Sequence, residues 1–194
     1  DISGAGNVIK DNTNTVSYLG SGTYTGMTYV NDGTLSVGDG HTAGSLTGNI
    51  NNKGDVTFNR SDDVSYGGAI SGTGTLTKSG NGALSLTANH AYTGASTING
   101  GQLILANNAP TSASSEFSGP GTLVIQPAGN DFSSAFTTSA WNLSSNLGGL
   151  TIGKSPSSAD GTADKNVTVN SAINIAGPVS LYGGNVAVTA ALTA

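Results

Sequence analysis

The sequence predicts an all-β protein, and specifically a parallel β-solenoid, on three observations. Residues 2–37 recur without a gap at residues 70–105, and about a third of the aligned positions are identical. Short runs of alternating apolar and polar residues occur along the chain, and glycine, asparagine, aspartate and serine separate almost all of them. A gapless repeat with glycines in register indicates stacked coils, because equivalent positions then meet one another.

The alternating runs predict β-strands of three to five residues. Alternation directs one row of side chains to a core and the next row to solvent. An antiparallel sandwich or barrel fits the same alternation, but it gives no reason for the glycines to recur in register. The predicted strands are residues 7–9, 15–18, 34–37, 55–58, 74–78, 83–86, 101–105, 122–125, 149–152, 166–169, 172–175, 178–181 and 185–188.

The repeat also predicts the size of a coil. The offset between the two copies is constant, and it is the distance along the chain from Gly26 to Gly94. With about 22 residues per coil, the offset would span about three coils and the whole chain about nine. Gly33 and Gly101 precede predicted strands, and we expect both to adopt a positive φ, which glycine takes without steric cost.

Residues 106–147 interrupt the pattern. They hold three of the five prolines and much of the bulky aromatic content. We interpret them as a loop excursion around the short strand at 122–125. The aromatic side chains either cover an apolar flank or coil end, or form a contact patch. The candidates for such a contact surface are Phe117, Phe132, Phe136 and Trp141.

Composition excludes several classes of function. The net charge is −5 and the six basic residues are scattered, which argues against nucleic acid and against an anionic membrane surface. No apolar run approaches the ~20 residues that span a bilayer, so we expect no membrane insertion of this segment. The absence of cysteine excludes disulfides, zinc–thiolate sites and thiol nucleophiles.

The residues that could carry catalysis are few, and we expect no enzyme. His41 and His90 lie in turn-like contexts, and the repeat does not pair either with a nucleophile. Regular Thr-x-Thr rows are also not evident, so the pairs at 23–25 and 73–77 are better explained by β-propensity.

Calcium is the one cofactor that the residues weakly suggest. The candidate ligands fall in two groups, and two acids per group supply too few oxygen ligands for a tight site. We therefore expect no cofactor. The candidates are Asp62, Asp63, Asp160 and Asp164.

Residues 70–105 resemble the passenger-associated repeat of bacterial autotransporters. That repeat has the form I-x-G-x-G-x-L-x-K-x-G-x-G-x-L-x-L, then an Asn, a Tyr-x-Gly, a Thr-x-Ile, a Gly and a closing L-x-L, and these marks are present with Ser96 at the Thr position of Thr-x-Ile. The copy at 2–37 is degenerate. It keeps Lys10 and the Tyr-x-Gly at 24–26, but has Asn12 and Asn14 in place of two glycines.

Residues from about 147 to 194 resemble the repeats of filamentous-haemagglutinin-like surface proteins, through the runs 150–154, 167–175 and 177–186. The two resemblances imply a right-handed parallel β-helix that is secreted and displayed on the bacterial surface. The chain is then one solenoid segment of a longer protein. Its parts are the passenger-type repeats at 1–105, the irregular excursion at 106–147 and the haemagglutinin-like coils at 148–194.

The function implied by these resemblances is structural and adhesive. We expect a stalk and contact surface that binds a host or bacterial surface glycan or protein, with end-to-end or lateral self-association. The alternative is a carbohydrate- or ice-binding solenoid. Regular outward rows of threonine or aromatic residues would favour that alternative.

Overall fold

The computed structural model describes residues 1–106, 116–127, 132, 135–138, 142–155 and 165–194. Within these residues all regular structure is β-strand. The strands are β1 (Val8–Lys10), β2 (Thr15–Tyr18), β3 (Thr28–Val30), β4 (Thr34–Val37), β5 (Ile50–Asn52), β6 (Asp55–Asn59), β7 (Val64–Tyr66), β8 (Ile70–Gly72), β9 (Thr75–Ser79), β10 (Ala83–Leu86), β11 (Ala91–Tyr92), β12 (Ser96–Ile98), β13 (Gln102–Ala106), β14 (Glu116–Ser118), β15 (Thr122–Gln126), β16 (Phe136–Thr137), β17 (Asn142–Leu143), β18 (Gly149–Ile152), β19 (Val167–Val169), β20 (Ile173–Asn174), β21 (Val179–Leu181), β22 (Val186–Val188) and β23 (Leu192–Thr193). A search of the described residues for a helix able to cross a membrane finds none.

The strands form three long parallel sheets. Sheet 1 has the order β1-β3-β5-β8-β11, sheet 2 has β17-β14-β12-β9-β6-β4-β2, and sheet 3 has β21-β18-β15-β13-β10-β7. Two shorter parallel sheets, β16-β19-β22 and β20-β23, contain the remaining strands. From β7 to β13 the chain visits sheets 3, 1 and 2 in rotation, which is the path of a three-sided solenoid. The predicted parallel solenoid is confirmed.

The coils are slightly shorter than predicted. Paired residues such as Asp55 and Thr75, or Leu76 and Ser96, mark the length of one coil. The solenoid has about 8 turns of about 20 residues, rather than nine turns of 22. A longer coil occurs where Thr122 pairs with Gly149.

The shorter coil changes what the repeat means. Lys10 lies in β1 of sheet 1, whereas its equivalent Lys78 lies in β9 of sheet 2. Val16 of sheet 2 likewise corresponds to Leu84 of sheet 3. The offset between the copies therefore spans three coils and about a third of another. The expectation that the offset spans three coils, so that equivalent positions stack on each other, is wrong.

Glycines form columns at the corners between sheets. At Gly26, Gly48 and Gly68, an added Cβ would lie closer than 3.0 Å to the carbonyl oxygen of the glycine one coil earlier. The same holds at Gly74 and Gly94 in a second corner. Only residues without a side chain allow coils to approach this closely. The corners thus explain why glycines recur in register.

Two of the glycines that precede strands also need a special backbone. Gly33 has φ 62° and Gly101 has φ 59°, so the predicted positive φ is confirmed at both. The two are equivalent in the repeat, yet Gly33 lies before β4 in sheet 2 and Gly101 before β13 in sheet 3.

The region 106–147 contributes more strands than predicted. The sequence predicts one short strand there, and the structure has four, β14 to β17, within the described part of the region. Three of them extend sheets 2 and 3, and β16 begins one of the short sheets. Strands of two or three residues give too short an alternation to be detected from sequence.

Candidate functional site

The aromatic residues proposed as a contact surface lie in the core instead. Phe117 is 1% exposed, Phe132 6% and Phe136 7%, and all three belong to the hydrophobic core. Phe132 and Phe136 stack with ring centroids 4.8 Å apart. These three rings face the interior. Their position agrees with the interpretation that they cover an apolar flank or coil end, and not with a contact patch. Trp141 lies outside the described residues.

The acidic pair at 62–63 is already engaged by protein donors. The guanidinium of Arg60 donates from Nε and Nη2 to the two oxygens of Asp62, both at 2.8 Å. This ion pair lowers the pKa of Asp62. Asp63 accepts the backbone N–H of Ala83 at 2.8 Å. Among the described residues, no three metal-ligating side chains converge. Asp160 and Asp164, the other calcium candidates, lie outside the described residues.

The lysine of the repeat has the same structural role in both copies. Lys10 is 6% exposed and donates from Nζ to the carbonyls of Asn12 and Asp32. Lys78 is 1% exposed and donates to Gly80 at 3.0 Å and Gly100 at 3.3 Å. The acceptors in the two copies are separated by the same offset as the lysines. In each copy the lysine joins its own corner to the corner one coil later.

The tyrosine of the repeat also keeps its partner. The hydroxyl of Tyr24 shares a hydrogen bond with Thr28, and that of Tyr92 with Ser96 at 2.8 Å. Burial raises the pKa of Tyr92 to about 12. The repeat therefore encodes a set of side-chain contacts. The lysine and the residue that bonds the tyrosine lie on sheet 1 in one copy (Lys10, Thr28) and on sheet 2 in the other (Lys78, Ser96).

Replacing Tyr92 by phenylalanine is expected to lower the free energy of unfolding by about 1 kcal/mol, because a buried hydrogen bond is lost. The same change at Tyr24 should have a similar effect, since its contact is equivalent. Tyr29→Phe is the control, as its hydroxyl contacts only the sulfur of Met27, at 3.5 Å. Urea denaturation measures all three. Equal stability of the Tyr92 and Tyr29 variants would refute the contribution of the hydrogen bond, and unequal losses at Tyr92 and Tyr24 would refute the equivalence.

A column of polar side chains holds the corner that precedes sheet 1. Asn7 accepts the N–H of Met27 at 2.9 Å, and Asn49 accepts that of Ala69 at 2.8 Å. His90 accepts the N–H of Ile70 through Nδ1 at 3.1 Å. Burial lowers the pKa of His90 to about 4. His41, by contrast, is exposed and contacts Asp39 at 3.2 Å.

We expect His90 to make the stability of the solenoid pH-dependent, because burial lowers its pKa. An unfolded histidine has a pKa of about 6.5. As the pH falls from about 6.5 to 4, His90 becomes protonated in the unfolded chain but stays neutral in the folded chain. The free energy of unfolding therefore decreases over this range. His90→Asn should reduce the dependence of the denaturation midpoint on pH between about 4 and 6.5, whereas His41→Asn should leave this dependence unchanged. Parallel midpoint curves for the wild type and the His90 variant would contradict this expectation.

The outer face of sheet 2 carries an unbroken row of hydroxyl side chains. The strand register pairs its six members successively, each with the next along the solenoid. Neighbouring members are about 4.8 Å apart, the spacing of paired strands. Ser36 is the most buried, because its hydroxyl donates to the carbonyl of Gly38 at 2.8 Å. The members of this hydroxyl row are Ser17, Ser36, Thr57, Thr77, Thr97 and Ser118.

Sequence reasoning missed the hydroxyl row. The intervals between successive members are unequal, so no fixed period connects Ser17 to Ser118 in the sequence. Only the register of the coils aligns them. The signal in the sequence is the recurrence of a hydroxyl residue in outward positions of successive strands, at intervals close to the length of one coil.

Two segments of the chain, residues 9–37 and 76–105, match the passenger-associated transport repeat. They correspond to the two copies whose lysine and tyrosine contacts are equivalent in the structure. The chain therefore contains two repeats of the kind found in autotransporter passengers, and the resemblance seen at 70–105 is confirmed. Neither match reaches residues 147–194, so the haemagglutinin-like resemblance stays a prediction.

A stretch of 55 residues is 53% identical to the adhesin BmaC, an autotransporter of Brucella suis biovar 1 (strain 1330). That stretch is 28% of this chain and 2% of the relative. No solved structure matches the chain.

Proposed function

We propose that this chain is part of the passenger of a secreted bacterial surface protein, where it acts as a stalk and as a contact surface for adhesion or aggregation. The observation that carries the proposal is the pair of passenger-associated transport repeats, with the contacts of Lys10 and Lys78 kept in both. A solenoid joined by neighbouring coils is suited to a stalk, since it lengthens by adding coils.

The adhesive part of the proposal draws on the name of the relative, which is an adhesin. The chain's low charge also suits a partner other than a polyanion, because it carries no cluster of basic residues. Its chemistry points to binding and scaffolding rather than catalysis. His41 contacts only an exposed Asp39, and His90 accepts a backbone N–H.

Surface display and adhesion are tested separately. Antibodies against the chain should label intact cells of the source bacterium, and labelling only after permeabilisation would refute surface display. Beads coated with the purified chain should bind host cells or one another more than beads coated with a solenoid of unrelated sequence. Equal binding by the two kinds of bead would overturn the contact role.

The hydroxyl row favours a second candidate function, a binding module for a neutral ligand rich in hydroxyl groups, such as a polysaccharide or ice. The row is uncharged, regularly spaced and presented on a rigid sheet. The outward positions two residues before its members include two carboxylates, Asp55, which accepts the hydroxyl of Thr75, and Glu116.

A glycan array and a thermal hysteresis assay separate these two ligands. Thr57→Lys combined with Thr77→Lys should abolish whichever activity is found, because two long charged side chains disrupt the row. Ala91→Lys, on the exposed face of sheet 1, is the matched control. Activity that survives the double change would exclude the hydroxyl row as the binding surface.

A further inference from the structure

A polar notch of about 450 Å³ lies at the corner between sheets 2 and 3. The strand register places Asp63, Ala83 and Gln102 at the same outward position on three successive coils. Since neighbouring strands are about 4.8 Å apart, the backbones at Asp63 and Gln102 are about 10 Å apart. Ala83 has the shortest side chain, so it forms the floor between two walls. The residues that line the notch are Asp63, Asn81, Ala83, Gly101, Gln102 and Thr122.

The polar groups of the notch are held by the coils that carry them. Asp63 accepts the N–H of Ala83 at 2.8 Å, which fixes its carboxylate at one wall. Asn81 is exposed on the corner, and a Cβ added at Gly100 would lie 3.8 Å from its Oδ1. Glycine on the next coil thus leaves the amide of Asn81 uncovered. The notch therefore offers one fixed carboxylate and the amides of Asn81 and Gln102, which both donate and accept hydrogen bonds.

The charges around the notch favour a neutral ligand. The guanidinium of Arg60 donates two hydrogen bonds to Asp62 and neutralises it. Lys78 is 1% exposed and donates to carbonyls of its own corner and the next, so it is not available to a ligand. The carboxylate of Asp63 therefore sets the charge of the notch and disfavours anions.

A metal ion fits the notch less well than a larger ligand does. Calcium binds its oxygen ligands at 2.3–2.6 Å and needs six or more of them. Walls about 10 Å apart cannot converge on one ion at that distance. The volume is instead within the range of sites for small organic molecules.

We propose that the notch binds one neutral hexose unit of a surface glycan. Asp63 accepts one sugar hydroxyl, and the amides of Asn81 and Gln102 pair with hydroxyls elsewhere on the ring. A hexose fits because its hydroxyls surround a rigid ring, so that each meets a separate polar group. We expect a Kd of about 1–10 mM for a single sugar, since the notch is open and offers few apolar contacts. This inference rests on the proposed role of the chain as a contact surface, and it identifies one partner as a saccharide.

The probes are the methyl glycosides of glucose, galactose and mannose, each titrated into isotopically labelled chain. At least one should shift the side-chain amide signals of Asn81 and Gln102, with a Kd of about 1–10 mM. The methyl glycoside of glucuronic acid is the charged control, and it should leave these signals unchanged. The proposal is overturned if no neutral sugar shifts them, if the charged control shifts them equally, or if the shifts centre on Thr57 and Thr77 of the hydroxyl row.

The floor of the notch is tested by Ala83→Val. Valine fills the space between the walls and is favourable in a strand, so the variant should fold and bind the sugar at least about fivefold more weakly. Ala91→Val, on the exposed face of sheet 1, is the matched control and should bind as the wild type does. Unchanged amide signals in sheet 1 verify that the Ala83 variant is folded. Wild-type affinity in that folded variant would refute the site.

The wall of the notch is tested by Asp63→Asn, which keeps an acceptor for the N–H of Ala83. Loss of the charge should weaken the sugar by about fivefold, because hydrogen bonds to carboxylates are stronger than those to amides. Asp11→Asn is the control, since Asp11 is an exposed carboxylate that accepts the amide of Asn31. Equal affinities of the two variants would contradict the role of Asp63.

The bead assay separates this inference from the proposed function. Beads that bind host cells or one another through a chain that ignores all three sugars would defeat this inference alone. Sugar binding at the notch of a chain whose beads do not adhere would defeat only the proposed function.

Discussion

Replacing Gly68 by alanine is expected to lower the free energy of unfolding by about 2–4 kcal/mol. The added methyl group would meet the carbonyl oxygen of Gly48 at less than 3.0 Å, and also the hydroxyl of Tyr66 that donates to that carbonyl. Backbone on the neighbouring coil cannot move aside without disturbing its own hydrogen bonds. The coils must therefore separate locally, and packing is lost at that corner.

The adjacent glycine supplies the control. At Gly67 an added methyl group would meet only the hydroxyl of Thr87, at 3.7 Å. Gly67→Ala should change stability by less than about 0.5 kcal/mol, or slightly increase it by restricting the unfolded chain. Urea midpoints of the two variants decide the matter. A difference of less than about 1 kcal/mol between them would show that the corners are not closely packed.

Replacing Lys78 by methionine is expected to cost about 2–3 kcal/mol. Its Nζ donates to the carbonyls of Ser79, Gly80 and Gly100, at 2.7, 3.0 and 3.3 Å. Burial lowers the pKa of Lys78, which reflects the cost of desolvating the ammonium, and methionine would relieve that cost. Three carbonyls would however lose their donor together. We expect this loss to be larger, because three buried acceptors are affected at once.

Lys53→Met is the matched control, since Lys53 is exposed and changes charge equally. It should leave the urea midpoint almost unchanged. A Lys78 variant that is as stable as the Lys53 variant would show that desolvation cancels the hydrogen bonds, as it does in some buried ion pairs. Lys10→Met should repeat the Lys78 result in the other copy.

The sequence predicts sheet 3 well and sheet 1 poorly. All thirteen predicted strands are present, but β3, β5, β8 and β11 of sheet 1 are not among them. Their inward positions include Thr28, Asn52 and Gly72, which break the apolar alternation on which prediction depends. Asn52 is fully buried, and its amide donates to the carbonyl of Thr75 at 2.8 Å. The sequence alone does not identify such a polar residue as part of the core, because its hydrogen-bond acceptor on the next coil is known only from the structure.

The candidate sites were harder to predict than the fold. Aromatic residues in an irregular region suggest a contact patch, but the core of a solenoid takes up Phe117 as readily as leucine. The repeat motif, by contrast, is visible because each of its positions has a fixed contact, as with Lys78 and Gly100.

The extra third of a coil between the two repeats has a consequence for recognition. Ser17 and its equivalent Ser85 both point outward, yet Ser17 lies on sheet 2 and Ser85 on sheet 3. A partner that reads the outward residues of this motif would meet them from two directions around the axis. Because the second copy of the motif is rotated about the solenoid axis relative to the first, the segment presents the motif on two sides. Two partner molecules can then bind one segment at the same time.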